Sequence, residues 1–235
     1  MATPYAIVEL ESAESTQDEA RARSNPETPI LVIAEHQPAG RGRLGRTWAE
    51  PDRGLFSSFA FNPAWPPAAW GRIPLVAGLA VRAAIEELVG ITVALRWPND
   101  LVTEHGKIGG LLAESADGFV VIGCGVNLAW GDPVEGAAAL CSPGTGRVPA
   151  RDLAVAWVDR FVEFMARSPT AWGADDYRRA CVTVGRRVSY PSGSGTAVGI
   201  SDGGALLVET EGGTVAIGSG EVRLHDPATL WKDRR

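Results

Sequence analysis

The sequence predicts a mixed α/β domain followed by a small antiparallel β-module. Three observations carry that prediction. Up to Cys181, β-rich apolar runs alternate with stretches whose apolar residues recur at helical spacing. Beyond Cys181 only short β-rich runs remain, separated by glycines or an Asp-Gly pair. The length of 235 residues suits one large domain, or a domain plus a module. A chain of this size buries roughly 70% of its unfolded surface.

Taken in order, "YAIVEL" (5–10) reads as a short strand. "STQDEARARS" (15–24) opens on Ser15 and Thr16, both good N-caps, with acids early and arginines late, as a helix dipole favours. "PILVIAEHQ" (29–37) is a β-rich apolar run, hence a buried strand. The glycine-rich loop "AGRGRLGRTW" (39–48) follows, then "GLFSSFAFNP" (54–63) as another strand, broken by Pro63 to Pro67. "RIPLVAGLAVRAAIEELVG" (72–90) has helical apolar spacing and a C-capping Gly90. "ITVALRW" (91–97) is a strand that ends at Pro98. "GKIGGLLAES" and "GFVVIGCGVNLAW" flank Asp117-Gly118, a strong hairpin signal. A Pro/Gly-rich connection (131–149) leads to "ARDLAVAWVDRFVEFMARS", an amphipathic helix, and "TAWGADDYRRAC", a second helix. Then come "VTVGRRVSYP", "GTAVGIS", "GALLVET", "GTVAIGS" and "GEVRLH", a spacing that predicts a small antiparallel barrel. The domains expected are therefore 1–181 and 182–235.

The formal net charge is −6. That argues against a general nucleic-acid or anionic-membrane binder, which spreads basic charge over a face. No run of ~18 apolar residues and no secretory signal is visible, so a cytoplasmic protein is expected. The three cysteines, Cys124, Cys141 and Cys181, give neither a disulfide framework nor a zinc spacing. Cys124 reads as a small buried hydrophobe. The three histidines are scattered, so no protein-held transition metal is expected.

Against the acidic background, "AGRGRLGRTW" packs Arg41, Arg43 and Arg46 between Gly40, Gly42 and Gly45. One reading is a solvated flexible hairpin. The other is an anion site, where glycines let backbone N–H groups approach phosphate and guanidinium forks hold its oxygens. A Walker A loop, GxxxxGK(S/T), is absent. "GRGRLG" fits GxGxxG, but "RTWAEPDRG" does not continue as the helix that fingerprint should open. "RWPNDLVTEHGKIGGLLAES" places Asn99 and Asp100 beside a proline-stiffened turn and Lys107 on an apolar strand among glycines. That lysine reads either as solvent-facing or as a ligand contact. Asn127 ends an apolar strand and, taken alone, reads as a turn residue.

The order Ser15-Thr16-Gln17, "AEHQPAGRGRLGRTW", "RWPNDL…KIGGLLAE" and "VVIGCGVNL" resembles the bacterial biotin protein ligases over 15–128, and "GEVRLH" resembles the end of their SH3-like terminal domain. The resemblance implies a catalytic domain like that of class II aminoacyl-tRNA synthetases, with a mixed central sheet and flanking helices. It implies ATP-dependent ligation of biotin, through biotinyl-5′-AMP, to a lysine of the biotin carboxyl carrier domain of an acyl-CoA carboxylase, with Mg²⁺ accompanying ATP. Two anions must meet in the first step, and that meeting requires fixed positive charge. Lys107, Arg41 and Arg43 match the catalytic positions. Ser15, Thr16, Gln37, Gly40, Arg41, Lys107, Gly109 and Gly110 match biotin-side positions, of which Ser15, Thr16 and Gln37 are neutral donors and acceptors suited to a neutral urea. Arg43, Arg46, Trp48, Asn99 and Asn127 match the nucleotide side, with Trp48 against adenine. Two roles are open to Asp100, steering Mg²⁺ or taking the proton of the incoming lysine. The family signature reads Ser-Thr-Asn where this chain has Gln17, so a different contact is expected there.

No DNA-binding module precedes Tyr5, so a ligase without repressor activity is expected. The state expected is a monomer or weak homodimer. The arginine loop is expected to be displaced without ligand and to order over the adenylate. The rival within the superfamily is a lipoate or octanoate ligase, which would want a longer apolar pocket. The rival of another class is a non-catalytic module binding RNA phosphates, against which the acidic charge and Lys107 argue.

Overall fold

The computed structural model describes residues 4–25, 27–116, 118–144, 148–218 and 222–225. Asp117 of the expected hairpin turn, residues 145–147 of the connection, Gly220 and Glu221 of the last run, and 226–235 of the second domain lie outside the described residues. The larger sheet comprises β1 (Ala6–Ser12), β2 (Ile30–His36), β3 (Arg53–Phe61), β4 (Ala94–Arg96), β5 (Asp100–Thr103), β6 (Gly106–Ala116) and β7 (Phe119–Ala129). Their spatial order is β1-β2-β3-β7-β6-β5-β4. β1 and β2 run parallel and the other neighbours antiparallel. A parallel pair needs a crossover, and α1 (Thr16–Arg23) supplies it. Ser15 caps that helix, its hydroxyl accepting from Asp18 N at 3.4 Å.

The sheet is covered on both faces, which is why β2 is apolar and buried from Ile30 to Ala34, before Glu35 and His36 emerge at its end. Leu31 and Ile33 join the main core with α2 (Ile73–Val89) and α3 (Ala150–Met165); Ile30 and Val32 join a smaller core with Ala20 of α1. Gly90 ends α2 at φ 73°, a left-handed cap that glycine adopts without strain. Residues 67–89 are long and apolar enough to cross a membrane, but this stretch is packed largely inside the core.

The smaller sheet comprises β8 (Arg187–Tyr190), β9 (Gly193–Ile200), β10 (Leu206–Thr210), β11 (Gly213–Ile217) and β12 (Arg223–Leu224), antiparallel in the order β11-β10-β9-β8-β12. The expected barrel is therefore an open sheet among the described residues. β12 offers only two paired residues, both to β8, and none to β11. The sheet docks through its own apolar residues, since Val188, Ala197, Leu206 and Val208 belong to the main core. Side-chain donors fasten the junction. Arg178 Nε of α4 (Ala174–Ala180) donates to Ile200 O at 2.7 Å, Trp172 Nε1 to Asp202 O at 2.8 Å, and Trp97 Nε1 to Gly204 O at 3.0 Å.

Two local differences from the sequence reading matter for the site. The strand expected over 91–97 is only β4; Asp100, which follows the turn over 97–99 as expected, also starts β5 and pairs with Arg96. A β-bulge interrupts the β5–β6 ladder: Leu101 pairs with Gly109 but Val102 pairs with Lys107. A bulge re-aims side chains. Here it leaves Ile108 in the core and puts Lys107 and Gly110 on one side.

Candidate active site

On the face of the large sheet that carries α1, a cavity of about 980 Å³ opens between α1, the loop 37–49, β6, β7 and β12. Its floor is made of glycines. Along β7, Ile122, Cys124, Val126 and Leu128 point to the core under α2 and α3, so Gly123, Gly125 and Asn127 face the other way and line the cavity. Gly110 of β6 lies beside them. The Trp48 indole rests on this floor: a Cβ at Gly110 would lie 3.2 Å from its ring, and one at Gly125 also 3.2 Å.

Lys107 is held on both sides of its backbone. Its strand pairs with β5, its N–H donates to Gly136 O at 2.9 Å, and its carbonyl accepts from Ala138 N at 2.8 Å. The Lys107 ammonium sits 2.7 Å from Asp100 Oδ1 and 5.1 Å from the Trp48 ring centroid. Arg96 takes the other carboxylate oxygen, with Nη2 at 2.6 Å and Nε at 3.0 Å from Oδ2. Burial pushes the Asp100 carboxyl up, but the charges of Lys107 and Arg96 and their hydrogen bonds outweigh it and hold the group below the usual carboxylate range. Asp100 is thus a fixed anion that orients Lys107, and it is poorly suited to accept a proton.

The arginine loop folds back on itself. Arg41 bridges to Thr47, Gly42 N donates to Arg46 O at 2.7 Å, and Trp48 N donates to Gly40 O at 2.8 Å. A single turn of 3-10 helix spans Arg43–Gly45, with Leu44 at φ 58°. Arg41 Nη2 reaches Asp18 Oδ1 at 2.5 Å and Ser15 Oγ at 3.4 Å; Arg43 Nη1 donates to Asn99 Oδ1 at 3.1 Å. Asn99 in turn donates from Nδ2 to Leu111 O at 2.8 Å. The loop is therefore tied to α1 at one end and to the lysine hairpin at the other.

Beside the α1 end of the loop lies a pair of neutral polar side chains. Gln37 Oε1 accepts from Thr16 N at 2.8 Å and lies 2.9 Å from Thr16 Oγ1. On the Lys107 side, where Ala138 N also donates to the Lys107 carbonyl, Asn127 donates to Ala138 O at 2.8 Å, while its buried Oδ1 has no partner among the described residues.

Of the residues singled out in the sequence, Ser15, Thr16, Gln37, Arg41, Arg43, Arg46, Trp48, Asn99, Asp100, Lys107, Gly110 and Asn127 line this one cavity. Gly109 and Gly40 do not. A Cβ at Gly109 would meet Gly125 O at 2.8 Å and Leu101, so its bareness serves strand packing. Gly40 sits beneath the loop, where a Cβ would press on Gln37 Nε2 and Trp48. Sequence reasoning missed Arg96, Ser58, Gly123 and Gly125 in the wall, and Val222, Arg223 and Leu224, which bring the second sheet to the cavity. Arg96 carried a signal, a cation two residues before Pro98 in "RWPND"; the others carried none without the pairing register.

Residues 9–127 match the Biotin/lipoate A/B protein ligase family, the class that this sheet and its cation-lined cavity define. Residues 183–224 match the Biotin protein ligase C terminal domain. A biotin–acetyl-CoA-carboxylase ligase of Mycobacterium tuberculosis is 36% identical over 221 residues, covering 86% of this chain and 82% of the relative. The bifunctional ligase/repressor BirA of Bacillus subtilis is 30% identical over 231 residues, covering 89% and 71%. Among solved structures, a biotin protein ligase from Aquifex aeolicus in complex with biotin and ATP superposes with a TM-score of 0.78 at 27% identity, covering 94% of this chain and 98% of that one. One from Leishmania major in complex with biotinyl-5-AMP gives 0.67 at 26% identity, covering 95% and 99%. The chain belongs to the biotin protein ligase family.

Proposed function

We propose that this protein ligates biotin to a lysine of a biotin carboxyl carrier domain, using ATP and passing through biotinyl-5′-AMP. The observation that carries the reading is one cavity that holds Lys107 and, through Asn99, Arg43 on one side and the neutral pair Thr16 and Gln37 on the other, with Arg41 reaching across to Ser15 beside that pair. A neutral cyclic urea fits the second, and a carboxylate meeting a phosphate fits the first. The lipoate reading is weaker, because a dithiolane offers neutral amides and hydroxyls nothing to bond.

Lys107, aimed by Asp100 and the bulge, stands where the biotin carboxylate attacks the α-phosphate and neutralises the charge that builds there. The loop arginines hold the phosphates. Closing on ligand, Arg41 exchanges Asp18 for ligand oxygens. The unpartnered Asn127 Oδ1 accepts an adenine N–H. Trp48 covers the glycine floor between the two sides. Asp100 serves as the anchor of Lys107. No group of three or more His, Cys, Asp or Glu that would hold a metal occurs among the described residues, and both Asp100 oxygens are already taken by cations. A resident Mg²⁺ does not fit that donor set, so we assign Mg²⁺ to the phosphates of the incoming ATP. The chain divides functionally near Cys181, with 1–181 catalytic and 182–235 closing the cavity through β12. The reading places the protein in the cytoplasm, with carrier-domain protein as its macromolecular partner.

Biotin-dependent release of pyrophosphate from ATP tests the reading. The expected result is pyrophosphate with biotin and none with lipoate. Release with lipoate alone would overturn it.

A further inference from the structure

We propose that Gln17 is a positioning residue that fixes the direction of two hydroxyl protons, so that Thr16 meets the ligand only as a hydrogen-bond acceptor and the cavity selects a head group carrying an N–H. The inference rests on the biotin reading and names how that site recognises its substrate.

Gln17 lies in the cavity lining at the start of α1, itself buried, with its amide committed to protein partners. The surroundings settle which way its amide points. Nε2 faces three acceptors, Val121 O at 3.1 Å, Leu112 O at 3.2 Å and Glu114 Oε2 at 3.3 Å, so Oε1 faces the Ser58 hydroxyl, which donates to it at 3.3 Å. Gly123 makes room for that carbonyl, since a Cβ there would lie 2.5 Å from Oε1. Gln37 is oriented as firmly. Thr16 N must donate, so Oε1 faces it, and Nε2 turns toward Gly40.

Between the two amides lie the Ser58 and Thr16 hydroxyls, 2.8 Å apart. Three contacts then depend on hydroxyl protons: Thr16 to Gln37, Thr16 to Ser58, and Ser58 to Gln17. Two hydroxyls supply two protons, so one contact goes without. If Ser58 turned its proton to Thr16, the buried Gln17 Oε1 would lose its donor, which is the costly kind of unmade bond. Gln37 Oε1 has no such need, because Thr16 N already serves it. The arrangement that satisfies every buried acceptor runs Thr16 to Ser58 to Gln17. It spends the Thr16 proton inward and leaves a lone pair of Oγ1 for the cavity. Thr16 Oγ1 as acceptor complements the N–H of a cyclic urea. A dithiolane presents no N–H.

Steady-state kinetics on Ser58→Ala, Gln17→Met and the double variant of the full chain test this. Each single variant is expected to raise the KM for biotin about tenfold, the loss of one oriented hydrogen bond. The KM for ATP should stay near the wild-type value. The double variant should be no worse than the weaker single one, because both cut the same relay. Additive losses, or a KM shift shared by ATP, would make Gln17 a mere tie between α1 and the sheet and overturn the proposal. Ser58→Ala removes one oxygen only, so an unchanged biotin KM in that variant overturns it even if Gln17→Met fails to fold. Wild-type protein without biotin-dependent pyrophosphate release would overturn the biotin reading itself, an outcome distinct from additivity in an active enzyme.

Discussion

Removing the Lys107 ammonium separates what the residue does for the fold from what it does for the reaction. In Lys107→Ala, Asp100 loses its partner at 2.7 Å but keeps Arg96 on its other oxygen at 2.6 and 3.0 Å. The carboxylate is therefore not left unpaired, and the loss should be about 1–3 kcal/mol, below the usual figure for stranding a buried charge. Against a total of about 5–15 kcal/mol the fold survives. For a chain of this size the melting point should drop by about 2–10 °C. The chemical step loses far more. A preorganised cation aimed at charge that develops only in the transition state is worth about 10²–10³ in rate. The assay is biotin-dependent exchange of pyrophosphate into ATP, read beside circular dichroism and a thermal melt. A folded variant whose exchange stays within about tenfold of wild type would refute the role assigned to Lys107.

Three further outcomes are expected. Asp18→Asn frees Arg41 from its ligand-free partner. That pair is half exposed, at 46% and 51%, so it is worth at most about 1 kcal/mol, and the variant should retain biotinyl-AMP up to about fivefold longer; a faster off-rate would contradict the exchange. Trp48→Ala should raise the KM for ATP more than that for biotin, by about two- to tenfold, the loss of one stacked ring; the reverse order would move Trp48 to the biotin side. Asp100 has a depressed folded pKa, so its stabilisation is fully present above its unfolded value of about 3.9 and disappears as pH falls through the folded one. Melts of Asp100→Asn should start lower at neutral pH and show a shallower acid limb; superimposable curves would contradict the ion-pair account.

Much of this was legible along the chain. The Ser15 cap, the Gly90 stop and the doubly buried β2 follow from local rules that tertiary contacts did not override. The arginine loop and Lys107 were visible as chemistry out of place in an acidic chain. What the chain concealed depends on register. The bulge at Ile108 decides that Lys107 and Gly110 share a side, and no residue there announces it. The turn of Gly109 toward Leu101 and Val126 of the core, the glycine floor at Gly123 and Gly125, and the Ser58 relay arise only when β3, β6 and β7 are aligned. Among the described residues the second sheet stays open because β12 contributes two paired residues, both to β8.

The central claim is transfer of biotin to a carrier lysine, and the most direct measurement is the mass of a carrier domain incubated with this protein, ATP, Mg²⁺ and biotin. The account predicts a gain of one biotinyl group on a single lysine, with AMP formed in equal amount, and no gain when lipoate replaces biotin. An unmodified carrier, or modification only in the lipoate reaction, would contradict it.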